Sequence, residues 1–286
     1  MQYEAPASLK EACGLLANAK GTAFLLAGGT DLLVRMKGEF IEPDLVVDLK
    51  RIAEMREIRK SADGFEIGAA ASCAEMGEHA ALKKAWPGVV EAANLIGSKQ
   101  IQSRCTVAGN LCNASPAADS VPALVAAGAS VRIAGPKANR TVPVEQIPVS
   151  PGKNSLAPGE LVEAIILPNP PPRTGDAYLR FIPRSEMDIA VVSAGICITL
   201  DANGKIESAR VVLGAVAPTV LLVPAAAQAI IGSSLDEAAL DRLGAACSAA
   251  AKPIDDKRGT IEFRTKVAGV LAKRAAKIAY KRAGGK

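Results

Sequence analysis

Two short runs carry the residue types best suited to hold a charged ligand: Ala27-Gly28-Gly29-Thr30-Asp31 and Thr106-Val107-Ala108-Gly109-Asn110. Each is a turn of small residues ending in a polar side chain, beside a segment that reads as strand or helix. Glycine reaches positive φ without a Cβ penalty and lets backbone N–H groups approach a ligand closely. The first run lies between an apolar stretch, Ala23 to Ala27, and a helical one, Leu32 to Met36. Free N–H groups and the helix dipole favour a phosphate at such a place. One turn of this kind is common. Two in 286 residues imply a ligand long enough to need two cradles. A dinucleotide, with two phosphates and a ring system at each end, has that length.

The elements that must position these turns follow from periodicity and punctuation. The first fifty residues read as helix, strand, helix, strand. Ser8 with Glu11 predicts a capping box, Leu9, Ala12, Cys13 and Leu16 form one apolar face, and Leu45 to Leu49 is a second buried strand. Residues 1–55 are therefore expected to form a small parallel α/β unit. Beyond residue 56 the pattern changes. Glu57 to Lys60 and Phe65 to Ala69 flank the hairpin signal Asp63-Gly64, Ser72 with Glu75 opens a capped helix, and Pro87 to Ile96 reads as another. Val131 to Ala134, Val142 to Val144 and Leu161 to Leu167 are further strands, giving a second α+β subdomain at 56–170. Pro168-Asn169-Pro170-Pro171-Pro172 is a stiff connector. A third unit is expected at 176–286, where Ala177 to Ile182, Val191 to Leu200 and Ile206 to Leu213 suit an antiparallel sheet. Asp201-Ala202-Asn203-Gly204 supplies a turn within it. Helices follow over Pro224 to Ile231, from a cap at Ser234 with Glu237, and from about Thr260. The fold class is α+β with an α/β N-terminal part.

Composition removes several function classes. No apolar run approaches the roughly 18–20 residues of a membrane span, and Met1 to Ala7 lacks a basic start and hydrophobic stretch. A cytoplasmic chain without a membrane span is expected. The net charge of +5 is concentrated: residues 252–286 hold eleven Lys/Arg against three Asp/Glu, leaving −3 on the rest. That segment reads as a solvated basic helix or as a dock for an acidic partner. Aromatic residues make up 3%, too few for the stacking platforms of single-stranded nucleic acid binding. The six cysteines show no C-x-x-C pairing, which argues against an iron–sulfur cluster or zinc site on this chain and for free thiols in a reducing compartment. Cys105 and Cys112, beside the second turn, read as small apolar packing, with Arg104 the one basic neighbour available to a thiolate. His79, the single histidine, is placed on a short polar helix and given no catalytic role. No general base or metal-ligand set stands out, so no catalytic or metal residue is assigned.

Four segments together resemble one family. Leu25-Leu26-Ala27-Gly28-Gly29-Thr30-Asp31-Leu32 is similar to the first flavin-binding motif of the FAD subunits of molybdenum hydroxylases, which include the medium subunits of carbon monoxide dehydrogenases and the FAD domain of xanthine dehydrogenase. Ile101-x-x-x-x-Thr106-Val107-Ala108-Gly109-Asn110, continuing Leu111-Cys112-Asn113-Ala114-Ser115-Pro116-Ala117-Ala118-Asp119, resembles the second. Arg184-Ser185-Glu186-Met187-Asp188-Ile189-Ala190 and Glu262-Phe263-Arg264-Thr265-Lys266-Val267-Ala268 match the family's C-terminal domain. The resemblance spans essentially the whole chain, and the long second motif is far more specific than a lone Gly-x-Gly.

The resemblance implies a two-subdomain FAD-binding domain of the PCMH type, followed by a C-terminal domain of the CO dehydrogenase flavoprotein type. It implies that Leu26, Ala27, Gly28, Gly29, Thr30, Asp31 and Leu32 hold the FAD diphosphate and ribityl region, faced by Ile101, Thr106, Gly109 and Asn110. Asn113, Ala114, Ser115 and Asp119 would add contacts, Asp119 to ribose or adenine. Leu161, Arg180 and Ile189 would lie near the flavin. Two readings stay open for Asn110 and Asn113, ligand contact or backbone capping in a loop, and likewise for Asp119, ligand contact or the N-cap of a helix over Pro122 to Ala127. The usual Gly-Gly of the second motif is Ala108-Gly109 here, so the turn must differ slightly if that position needs positive φ.

By the same resemblance the chain is a flavoprotein oxidoreductase subunit that accepts electrons from the [2Fe-2S] clusters of a small subunit. A large molybdopterin subunit would oxidise the substrate, in a dimer of heterotrimers. The flavin would pass electrons to an external acceptor: NAD, a quinone or oxygen. Two alternatives differ in kind. The medium subunit of a 4-hydroxybenzoyl-CoA reductase carries a cysteine-rich insertion that this chain lacks, and a flavin-binding assembly protein would transfer no electrons of its own.

Overall fold

The computed structural model describes residues 1–285, and its first layer is a three-stranded parallel sheet. Strands β2 (Ala23–Leu26) and β3 (Leu45–Asp48) fall where the apolar runs predict them. A strand that the sequence reading lacks, β1 (Gln2–Glu4), pairs with β3, giving the order β1-β3-β2. Three residues with half-exposed polar ends carry too little periodicity to announce a strand. Helices α1 (Leu9–Ala17) and α2 (Leu32–Lys37) complete the unit. The expected capping box of α1 is only half as drawn: Ser8 Oγ accepts from the Glu11 N–H at 3.2 Å, but the Glu11 carboxylate accepts from Ala7 N–H, not that of Ser8.

The second layer is an antiparallel sheet of five strands. The β4 (Ile58–Lys60) and β5 (Gly64–Gly68) hairpin precedes a run of short helices. These are α3 (Cys73–Glu78), α4 (Ala80–Ala85), α5 (Pro87–Ala93), α6 (Lys99–Gln102), α7 (Val107–Cys112) and α8 (Ser120–Ala126). The capping box of Ser72 and Glu75 forms in full. His79 sits between α3 and α4 rather than on a helix, and its Nδ1 accepts from Leu82 N–H at 3.1 Å. Strands β6 (Ser130–Ala134) and β7 (Arg140–Pro143), the small β8 (Pro148–Ser150) and β9 (Lys153–Asn154) pair, and β10 (Leu161–Pro168) follow. The order β4-β5-β10-β6-β7 puts β10 in the centre, and five of its eight residues are buried apolar side chains.

The third layer is antiparallel: β11 (Thr174–Phe181), β12 (Val192–Leu200), β13 (Ile206–Gly214) and β14 (Leu221–Leu222), in that order. Helices α9 (Pro224–Gln228), α10 (Glu237–Ala250) and α11 (Ile261–Arg282) follow, with α11 packed on β11 and β12 and α10 packed on α11. The cap of α10 is a correction. Asp236, not Ser234, accepts the capping hydrogen bond, from Ala239 N–H at 2.8 Å, and Leu235 between them has a left-handed φ of 55°. Much of the basic charge on α11 is answered nearby, since Lys273 pairs with Asp241, Lys277 with Glu237 and Arg282 with Glu91. Lys286, the last basic residue of that run, lies outside the described residues. Among the described residues no helix is long and apolar enough to cross a membrane.

The fully buried α8 binds the layers together. It packs on β12 and β13 from one side and on α5 and α7 from the other.

Candidate functional site

A cleft of about 1090 Å³ opens between the first sheet and the segment around α7, with the 152–160 loop along one side. Both glycine-bearing turns line it. The first follows β2 directly and enters α2. Gly29 adopts φ +77°, the left-handed region that a side chain disfavours. A Cβ on Gly28 would collide with the Arg104 carbonyl oxygen and meet Cys105 Cα at 2.9 Å, so the first turn touches, through backbone alone, the segment that leads into the second. Among the described residues, no acceptor takes the N–H groups of Gly28, Gly29 or Thr30. Backbone donors left free at the mouth of a helix are what an anionic ligand requires.

The first turn is braced from below by residues that the sequence reading passed over. Lys50 Nζ donates to the Ala27 carbonyl at 3.1 Å and to Asp48 Oδ1 at 2.8 Å. Tyr3, on the unexpected strand, donates its hydroxyl to Asp48 Oδ2 at 2.6 Å. Burial pushes the Asp48 carboxyl up, but the bonds from Lys50 and Tyr3 outweigh it and hold the group below its ordinary value. A lysine two residues beyond a strand that ends in aspartate was the available signal. Phe24 and Arg35 form the far wall, the Arg35 guanidinium lying 5.9 Å from the Phe24 ring centre.

The second turn is the start of a helix. Thr106 Oγ1 caps α7 by accepting from Gly109 N–H at 2.9 Å, so that amide is spent inside the protein. Ala108 is an ordinary right-handed helical residue at the cleft wall, and the positive φ that would have made alanine costly there is not used. Its N–H has no acceptor among the described residues. Asn110 Oδ1 accepts from both Ser120 N–H (3.3 Å) and Ser120 Oγ (2.7 Å), fixing the start of α8 while the residue still faces the cleft. Asn113 Nδ2 donates to Asp31 Oδ1 at 3.3 Å, a side-chain bridge from one turn to the other. Burial raises the Asp31 carboxyl above its ordinary value, with Arg35 opposing.

Of the residues assigned to the ligand from sequence, Ala27, Gly28, Gly29, Thr30, Asp31, Leu32, Thr106, Gly109, Asn110, Asn113 and Ser115 line the cleft together. Leu26, Ile101, Ala114 and Leu161 stand behind the lining. Leu26 lies under Gly29, and the Ile101 carbonyl accepts from Cys105 N–H. Ala114, at φ 50°, accepts from Gly152 N–H, and Leu161 is fully buried at the start of β10. Three residues are set apart. Asp119 does not line the cleft, and although it holds the N-cap position of α8 its side chain makes no capping bond. Its carboxylate accepts from Arg180 at 2.5 Å and from the Tyr178 hydroxyl at 2.7 Å, in a buried network. Burial raises the Asp119 carboxyl, against the pull of Arg180 and Tyr178. Arg180 is thereby occupied, and Ile189 lies half-exposed on the 182–190 segment of the third layer.

The cleft offers free amides, small-residue walls and polar side chains. Among the described residues, no cluster of His, Cys, Asp and Glu could hold a metal ion. The lining of the cleft suits binding and orienting a ligand.

The model of the FAD binding domain in molybdopterin dehydrogenase matches residues 1–170, and that of the CO dehydrogenase flavoprotein C-terminal domain matches 177–279. The carbon monoxide dehydrogenase medium chain of Afipia carboxidovorans is 33% identical over 98% of this chain and 97% of its own. The xanthine dehydrogenase FAD-binding subunit of Escherichia coli O157:H7 is 30% identical over 99% and 97%. A solved chain of reconstituted CO dehydrogenase from Oligotropha carboxidovorans superposes with a TM-score of 0.94 at 33% identity, covering 99% of this chain and 98% of that one.

Proposed function

The chain belongs to the family of FAD-binding subunits of molybdenum hydroxylases, and from that premise we propose that it is the electron-transfer subunit of a heterotrimeric dehydrogenase. The observation that carries the reading is the cleft itself: two turns line it, the first seated on the backbone just before the second, with unspent N–H groups at Gly28, Gly29, Thr30 and Ala108. The residues present fit FAD. Four amides facing one cleft suit a diphosphate, and a volume of about 1090 Å³ accommodates a dinucleotide. When bound, FAD supplies two-electron chemistry, and the protein contributes binding, orientation and electrostatics.

Each residue has a distinct task. Ala27 to Leu32 hold the diphosphate and ribityl region, with Lys50 and Asp48 keeping the Ala27 carbonyl turned away from the anion. Thr106 and Asn110 keep the amide end of α7 in place, and Asn113 with Asp31 ties the two walls. Asp119 and Arg180 act through the wall, by fixing the third layer against the segment that carries Ser115 and Pro116. Residues 1–55 and 56–170 are the two halves of the flavin-binding part, and 176–286 forms the distal unit. The partners are a large molybdopterin subunit and a small subunit with [2Fe-2S] clusters that feeds electrons to the flavin, in a cytoplasmic dimer of heterotrimers. An external acceptor (NAD, a quinone or oxygen) removes the electrons.

The test is direct. The purified chain, reconstituted with FAD, is expected to show a flavin absorbance spectrum with one FAD per chain. In the complex, the partners' substrate is expected to bleach that spectrum. No bound flavin after reconstitution overturns the reading, and bound flavin that the partners never reduce leaves an assembly protein.

A further inference from the structure

Cys73 and Cys105, far apart in sequence, meet at the edge of the cleft. Cys73, the first residue of α3, donates its N–H to the Cys105 carbonyl at 2.9 Å. Bond lengths then hold the two α-carbons within about 7 Å of one another, inside the span that a disulfide closes. Each thiol is the strongest influence on the other's acidity. Cys73 is fully buried, and Cys105, 4% exposed, forms part of the cleft wall.

The pair also differs from the other cysteines chemically. Burial pushes the thiols of Cys112, Cys197 and Cys247 up to about 12 and raises Cys13. Cys105 alone is lowered, because the Cys73 S–H stabilises its thiolate, and Cys73 is correspondingly raised. Cys105 is thus the more acidic thiol of the pair and Cys73 the one that keeps its proton, the order expected of an attacking and a resolving cysteine.

We propose that Cys73 and Cys105 form a redox pair, a dithiol that hydrogen peroxide converts to a disulfide beside the first glycine turn. The Cys105 thiolate attacks one peroxide oxygen. The O–O bond breaks and the departing hydroxide takes a proton to become water, leaving a sulfenic acid on Cys105. The Cys73 sulfur then attacks the Cys105 sulfur, the S–O bond breaks, and a second water leaves. Two thiols lose two electrons in total, and the peroxide is reduced to two waters. The location gives the bond a structural consequence. The first turn rests on the Arg104 carbonyl and Cys105 Cα, so the disulfide fastens to α3 the backbone on which Gly28 is seated. The contact between the two residues does not depend on what occupies the cleft.

The full-length protein treated with hydrogen peroxide, alkylated and digested with trypsin without reduction tests this. Peptide 61–83, which holds Cys73, is expected to appear joined to peptide 105–132. The latter also holds Cys112, so fragmentation of the linked peptide must put the bridge on Cys105 in the unmutated protein. The link is expected to persist in Cys112→Ser and vanish in Cys105→Ser. The free thiols counted in denaturant should fall by two. No linked peptide, a bridge to Cys112, or Cys105 carried on to sulfinic acid with Cys73 still free would each overturn the proposal.

Discussion

At the scale of single residues, the site depends on atoms that are not there. Gly28 is required by close approach and Gly29 by a φ of +77°, two different demands that one Gly-Gly pair meets. They are separable by experiment. Gly28→Ala forces a Cβ against backbone that cannot yield, so FAD affinity is expected to fall by roughly 100-fold or more, about 2.7 kcal/mol. Gly29→Ala meets movable leucine side chains and a left-handed cost of about 1–2 kcal/mol, so its loss should be smaller, in the range of roughly 5- to 30-fold. Flavin fluorescence titration of both variants checks the order, and a Gly28→Ala protein with unchanged affinity would refute the backbone contact. The pair was legible in sequence because turn glycines are conspicuous. Lys50 was not, because a lysine near a strand end reads as solvated until the fold brings the Ala27 carbonyl to it.

At the scale of elements, β11 anchors the third layer to the second through side chains rather than backbone pairing. Tyr178 and Arg180 project two apart along the strand, on one face, and both reach Asp119 at the start of α8. The Arg180 and Asp119 side chains are 6% and 9% exposed. Deleting one member strands a buried charge. Arg180→Met is therefore expected to cost about 3–5 kcal/mol, while the double change with Asp119→Leu recovers most of that loss. Chemical denaturation of the two singles and the double measures the coupling, and additive losses would sink it. Sequence reading identified the longer strands and helices, because periodicity, the cap at Ser72 and the turn Asp201-Ala202-Asn203-Gly204 are local signals, but it missed β1, β8, β9, β14, α4, α6 and α7, each six residues or shorter. The resemblance gave Arg180 to the ligand and left Asp119 between ligand contact and a helix N-cap, since pairing between residues in different layers leaves no trace in spacing. The cap at Ser234 went astray for a nearby reason. Ser and Asp both suit the position, and only the left-handed Leu235 decides between them.

For the molecule as a whole, the layers meet at a carboxylate held in an uncommon state. Asp176 on β11 accepts from Val89 N–H at 3.0 Å, at the start of α5, and its other oxygen has no partner among the described residues. Burial drives its pKa from 3.8 to about 6, with the Gly88 and Val89 amides and Arg282 opposing, and Glu91 reinforcing. The folded protein thus holds this proton more tightly than the unfolded chain does. The contribution to stability is complete below about pH 4 and disappears as pH rises through about 6, a loss on the order of 3 kcal/mol. Thermal unfolding is expected to show stability declining over that window in the unmutated protein and a flatter profile in Asp176→Asn. An identical slope in both would exclude Asp176 as the source.

The order β4-β5-β10-β6-β7 has a consequence for how the chain comes into being. The strand at the centre of that sheet is the last of its five to leave the ribosome. Until Leu161–Pro168 emerges, two hairpins wait with bare inner edges, open to pairing with other nascent chains. The glycine turn at Gly28, synthesised early, likewise waits for the carbonyl of Arg104. Arrest of translation after Asp119 but before Leu161 leaves a molecule with most of its ligand-holding residues made and the five-stranded sheet without its central strand. The final seam of the flavin domain is thus sewn by its youngest strand.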